Sequence, residues 1–176
     1  PANPATFNNP ALTVEVTRNI PTQVTWINGL KNADGSFKTH IIKDANGDLV
    51  WDSGDQIGQK ILETIGQDAW VVGPVIGTSS PPDSRSDDKG AEPEAVAAGK
   101  AYGRDLIFVG LERSGGIMSF DVTDPTAPEL LEWTQTEDIS PEGLQFIEAD
   151  RSPTGRPLLV VSYEVSGTTT IFEIVK

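Results

Sequence analysis

Short apolar runs, broken every few residues by glycine, proline, asparagine or aspartate, set the rhythm of this chain. Residues 12–16 and 23–27 alternate, putting Leu12, Val14 and Val16, then Val24 and Trp26, on single faces. A period of two predicts strands, and the Asn19-Ile20-Pro21 step between them predicts a hairpin. Two further apolar runs, 39–43 and 49–51, flank Asp44-Ala45-Asn46-Gly47-Asp48. Asn-Gly tolerates the positive φ angles of a tight turn, so this segment predicts a second hairpin. Ile57, Ile61, Leu62 and Ile65 recur at helical spacing and predict one short amphipathic helix within 55–66. Residues 73–91, rich in Gly, Pro, Ser and Asp, read as a long surface loop of a length usually reserved for functional or disordered segments.

From residue 92 onward one unit is written twice. Gly103, Arg104, Leu106, Val109, Glu112, Ser114, Gly115 and Phe120 recur fifty-two positions later as Gly155, Arg156, Leu158, Val161, Glu164, Ser166, Gly167 and Phe172. Those eight identities fall within eighteen aligned positions, where average residue usage gives roughly one. Upstream, Pro93-Glu94-Ala95-Val96 matches Pro141-Glu142-Gly143-Leu144 at a separation of forty-eight. The second copy therefore carries four extra residues, expected around Glu148-Ala149-Asp150-Arg151.

Each copy resolves into an inner strand opened by Pro-Glu, an apolar strand (106–111 and 158–163) suited to burial on both faces, and a third strand (117–122 and 169–174) after a Glu-x-Ser-Gly corner. The first copy adds a fourth strand at 130–133, which the second lacks before Lys176. Strand units repeating about every 50 residues predict an all-β fold, a β-propeller segment of about three to four blades with the helix in a blade insertion. Blades are expected over 37–176, with repeats at about 92–139 and 140–176. Residues 1–36 read as an N-terminal extension whose two strands are candidates to close the open edge at 169–174.

Composition narrows the setting. A length of 176 residues suits one domain with a real core. Seventeen glycines and thirteen prolines favour strands and turns over helices. The absence of cysteine excludes disulfide and thiolate chemistry and is compatible with secretion. A net charge of −13 argues against nucleic acid or an anionic membrane as partner and suits divalent cations. No stretch approaches the length of a transmembrane segment. The chain begins at Pro1, which reads as a processed product or fragment, and processing is compatible with an extracellular, periplasmic or cell-surface location.

Several long motifs carry a family resemblance. Asp83-Ser84-Arg85-Ser86-Asp87-Asp88-Lys89-Gly90-Ala91-Glu92-Pro93-Glu94, Val109-Gly110-Leu111-Glu112-Arg113 and Gly115-Gly116-Ile117-Met118 closely resemble the bacterial choice-of-anchor I proteins. So do Ser152-Pro153-Thr154-Gly155-Arg156-Pro157-Leu158-Leu159 and Glu164-Val165-Ser166-Gly167-Thr168-Thr169, which are also similar to C-terminal regions of some atypical bacterial alkaline phosphatases. The resemblance covers residues 46–176, with Ala95 where the family pattern has Gly; residues 1–36 match no family motif. It implies a secreted or surface-attached β-propeller. Propellers need about four to eight blades, so the missing blades are expected from another protein chain or from the rest of the same precursor.

The residues most able to do chemistry are acidic. Glu92, Glu94 and Glu142 stand at the entrances of inner strands, which in a propeller face the central channel, and Asp87, Asp88, Glu112 and Glu164 fall near the same rim. Converging carboxylates are the hard oxygen ligands that Ca²⁺ requires, so Glu92, Glu94 and Glu142 are the candidate metal set. The same glutamates equally suit a structural role, accepting hydrogen bonds from amides and neighbouring arginines. Arg85, Lys89 and Arg113 are candidates to hold a phosphate ester, whereas Arg104 and Arg156, equivalent in the repeat, read as structural. Asp44–Asp48 looks like the start of a calcium loop, but its twelfth position is Asp55 rather than Glu, and a hairpin explains it more simply.

His40 is the single histidine and no Gly-x-Ser-x-Gly elbow exists, which argues against a triad hydrolase. Trp26, Trp51, Trp70 and Trp133 suit sugar stacking or, more simply, sheet cover. The function expected is an extracellular binding or structural module. The competing reading is a metal-assisted phosphoesterase in which Glu92, Glu94 and Glu142 hold Ca²⁺ and Arg85 or Arg113 holds phosphate.

Overall fold

Antiparallel meanders, in which each strand pairs with the next in sequence, account for nearly all of the secondary structure in the computed structural model, which describes residues 13–15, 22–26, 40–44, 46, 48–65 and 91–176. The first sheet holds β1 (Thr13–Glu15), β2 (Thr22–Trp26), β3 (His40–Asp44) and β4 (Leu49–Asp52). The helix α1 (Gln56–Ile65) follows. A second four-stranded sheet holds β5 (Pro93–Ala101), β6 (Arg104–Leu111), β7 (Ile117–Asp121) and β8 (Glu129–Thr134), and a third holds β9 (Pro141–Ile147), β10 (Leu158–Tyr163) and β11 (Thr168–Glu173). The protein is thus mostly β with one short helix among the described residues.

The two early hairpins form as their patterns predict. In the β3–β4 turn the Asp44 carboxylate accepts the Asn46 and Asp48 amides at 2.8 and 2.9 Å, so this segment is a side-chain-capped hairpin. The runs at 12–16 and 23–27, expected as a hairpin and as candidates to close the edge at 169–174, pair with each other, and β2 pairs in turn with β3, so both belong to the first sheet. Among the described residues neither pairs with β11. The helix buries Ile57 and Ile61, while Leu62, expected on the same face, stays 38% exposed. The loop read at 73–91 lies, apart from Ala91, outside the described residues.

The repeat is faithful in three dimensions. In the first copy the Glu112 amide donates to the Glu92 carbonyl (2.7 Å) and the Gly115 amide to Leu111 (2.8 Å). In the second, Glu164 donates to Ser140 (2.8 Å) and Gly167 to Tyr163 (2.9 Å). Glu112 and Glu164 therefore occupy equivalent corners. Arg104 pairs with Asp121 across the sheet, and Arg156 pairs with Glu173 at the same two repeat positions. The four-residue insertion falls where expected: Tyr102 and Gly103 alone, both at positive φ, join β5 to β6, while 148–157 joins β9 to β10.

The second sheet is a central layer, and this explains the unbroken apolar run of β6. Ile107, Val109 and Leu111 point into a core shared with Ile42 of the first sheet and Ile57 and Ile61 of the helix. Leu106 and Phe108 point the other way, into a core shared with Phe146, Leu159, Val161 and Tyr163 of the third sheet. Strand β10 was expected to be buried on both faces like β6. It is covered throughout on one face only: on the other, Leu158 is buried but Val160 is half-buried and Ser162 exposed, and among the described residues no further sheet covers that side. Trp51 meets Phe120 edge-on at 6.0 Å, and Trp133 is buried over the first core with its indole N–H on the Gly115 carbonyl at 3.0 Å. Both serve as sheet cover. The Trp26 side chain and Trp70 lie outside the described residues.

Candidate functional site: an acidic cluster at the strand entrances

Two β-bulges build the site. Opposite β6, the pairing slips between Pro93 and Ala95, so Glu94 is the extra residue; opposite β10 it slips between Pro141 and Gly143, so Glu142 is extra. A bulge re-aims the side chain it carries, and here it does so identically in both copies. Proline at each strand start fixes φ and supplies no amide that would need a partner there. The residue before each proline takes positive φ, 45° at Glu92 and 59° at Ser140, which turns the chain sharply into the strand. The Glu-x-Ser-Gly corners then return Glu112 and Glu164 to the same end of their sheets.

The result is a contiguous group of five carboxylates. Oxygens of Glu92, Glu94 and Glu112 lie within 4.8 Å of one another, as do those of Glu112, Glu142 and Glu164. Glu112 belongs to both groups and links the second sheet to the third. One cation sits among them: Arg113 Nε lies 2.5 Å from Glu92 and Nη2 lies 3.0 Å from Glu112. Glu92 and Glu112 are buried.

Electrostatics follow from this crowding. Burial, the Glu94 charge and a hydrogen bond that the protonated Glu112 donates to Glu92 push the Glu112 carboxyl up to about 8, against the opposing pull of Arg113. Burial and the charges of Glu92 and Glu142 raise Glu94, and burial and the Glu164 charge raise Glu142. Burial works against the Arg113 charge, but its hydrogen bond to Glu92 and the surrounding carboxylates outweigh it and raise its pKa. The cluster therefore concentrates negative charge that Arg113 and raised carboxyl pKa values partly offset.

Of the residues singled out from sequence, Glu92 and Glu94 come together, and Glu142 joins them through Glu112. Glu112 and Glu164, read as corner residues near the rim, prove to be full members of the cluster. Arg113 is directed at Glu92 and Glu112 and lies inside it. Arg85, Lys89, Asp87 and Asp88 lie outside the described residues. None of the five glutamates lines the cavity of about 480 Å³ found elsewhere, between the second and third sheets.

Repeated antiparallel sheets carrying an acidic rim define a repeat-built β module. The chain belongs to the choice-of-anchor I domain family, whose pattern it matches over residues 37–125. It is 33% identical over 110 residues to Gigasin-3a of Magallana gigas, covering 52% of this chain and 39% of that protein. It is 29% identical over 136 residues to the mesenchyme-specific cell surface glycoprotein of Strongylocentrotus purpuratus, covering 72% of this chain and 16% of that protein. The chain thus spans well under half the length of these relatives. No solved structure matches it. Family membership makes this a surface-associated module, and no helix among the described residues is long and apolar enough to cross a membrane.

Proposed function

We propose that this chain is a β-propeller segment of an extracellular, surface-associated protein, serving as a binding and structural module within a longer chain or assembly. The observation that carries the reading is the stacking rule. Ile107, Val109, Leu111 and Phe120 are the residues the second sheet turns toward the first, and Leu159, Val161, Tyr163 and Phe172, at the equivalent repeat positions, are those the third sheet turns toward the second. A stack that reuses one face at every step is how blades succeed one another. The inner strands β5 and β9 also pack together, with Gly110 leaving room for Leu144 and Pro141. One relative is named a cell surface glycoprotein, which supports a surface location.

Within that module the acidic cluster is proposed to bind Ca²⁺. Its ten carboxylate oxygens are hard donors of the right chemistry, and two of the five glutamates sit on the second bulged copy. Glu92, Glu94 and Glu142, with Glu112 between them, would hold the ion and so tie β5 to β9. Calorimetric titration with Ca²⁺ is expected to show saturable binding that disappears in the Glu92→Gln/Glu94→Gln/Glu142→Gln variant. Unchanged affinity in that variant would leave those glutamates purely structural. A chromogenic phosphate ester is expected to be hydrolysed no faster than the blank with or without Ca²⁺. Calcium-dependent turnover lost in the same variant would instead establish a phosphoesterase, for which Arg85 or Arg113 is the proposed phosphate holder.

A further inference from the structure

The outer edge of β11 and the cavity beside it carry a second inference, independent of whether the sheets close into a ring. In the second sheet, β7 carries β8 on its outer side, with Phe120 opposite Leu130 and Met118 opposite Trp133. The repeat maps β7 onto β11 and Phe120 onto Phe172. Among the described residues, β11 pairs only with β10. Leu130 and Trp133 of β8 cover the core between the first and second sheets. A counterpart strand beside β11 would direct the same two positions between the second and third sheets. That is where the cavity of about 480 Å³ lies, walled by Phe172 and Ile174 on one side and Ile117, Ser119 and Leu131 on the other.

Exposed apolar surface concentrates at the same place. Of the seven large hydrophobic side chains exposed among the described residues, Tyr102, Leu131 and Val175 line the cavity, whereas Ile171 lies with its cross-strand partner Val160 on the other face of the third sheet. Such clustering marks an interaction surface. The edge itself is suited to pairing. The Ile174 amide donates to Pro157 on the β10 side, so by alternation the Ile171 and Glu173 amides face outward. The run contains no proline, and the Glu173 carboxylate is held by Arg156. The other end is closed, because Thr168 and Thr170 hydroxyls both donate to Asp138 at 2.8 Å. Residues 171–175 remain available.

We infer that β11 accepts a fourth, antiparallel strand at residues 171–175, donated by a further segment of the same protein outside these 176 residues, with a bulky apolar side chain opposite Phe172 filling the cavity. Main-chain hydrogen bonds to Ile171 and Glu173 supply the pairing, and the cavity selects the side chain. The source follows from length: this chain corresponds to 39% of one relative and 16% of another, so proteins of this kind carry sequence enough to supply the strand.

Residue-resolved hydrogen exchange on the complete gene product and on the 176-residue chain tests this. The Ile171 and Glu173 amides are expected to exchange at least ~100-fold more slowly in the complete product. Ile171→Pro removes an outward amide while sparing the ladder to β10. In the complete product it should return Glu173 to fast exchange while β9 and β10 stay protected, and this arm stands even if the shorter chain does not fold. Fast exchange at both amides in the complete product would overturn the proposal. So would protection in the 176-residue chain that grows with concentration, which would identify a second copy as the occupant.

Discussion

A single methyl group added at Gly99 is expected to disrupt the join between the second and third sheets. A Cβ there would lie 1.9 Å from Phe146 Cδ1 and 2.2 Å from Cε1, far inside van der Waals contact. The Phe146 ring has little freedom to yield, because it is buried and stacked on Phe108 at 5.8 Å with planes 16° apart. Overpacking of this kind costs about 3 kcal/mol, more than the gain of under ~1 kcal/mol from restricting the unfolded chain. Phe146→Ala alone removes the stack and opens a cavity, for about 3–5 kcal/mol. The double variant Gly99→Ala/Phe146→Ala relieves the clash, so its cost should fall short of the sum by about 2 kcal/mol. Urea unfolding of the four proteins reads the cycle directly. Additive losses would mean that β5 and β9 do not meet at this contact.

The second large effect is a fall in stability as pH rises from 5 to 8 in calcium-free buffer. The Glu112 carboxyl titrates from the ordinary 4.5 when unfolded to about 8 when folded. Between those values the folded state binds more protons than the unfolded one, so rising pH favours unfolding. The stabilisation is fully present below 4.5 and is lost as pH passes through 8. Glu94 and Glu142, also raised, act in the same direction. The Glu112 contribution is on the order of a few kcal/mol. Glu112→Gln, which keeps an acceptor for Arg113 without the charge, should flatten the profile and raise the melting temperature at pH 8 while changing little at pH 5. A wild-type melting temperature that climbs over this range would contradict the buried carboxyl cluster.

These features were unequally legible in the sequence. The eight identities from Gly103 to Phe120 and Gly155 to Phe172 reveal the repeat because each strand of a sheet stack must present the same faces in turn. Asn46-Gly47 and the helical spacing of Ile57 and Ile61 are local signals, and local signals survive folding. The bulges at Glu94 and Glu142 were not legible, since a bulge is a property of pairing between strands and not of either strand alone. Glu112 and Glu164 read as corner residues near the same rim, and only strand pairing brings the bulged glutamates within reach of them. The pairing of β2 with β3 was missed for a related reason: alternation identifies a strand but not its partner. The one-sided burial of β10 escaped because Leu158-Leu159-Val160-Val161 is as apolar as the buried run in β6.

The central claim, that this chain contributes successive blades to a propeller, is tested most directly by the structure of the complete gene product. The account predicts a further four-stranded antiparallel sheet packed on the Val160 and Ile171 face of the third sheet, with its inner strand beside β9 and all inner strands surrounding one axis. A complete product in which that face is open to solvent, or covered by something other than another such sheet, would contradict it.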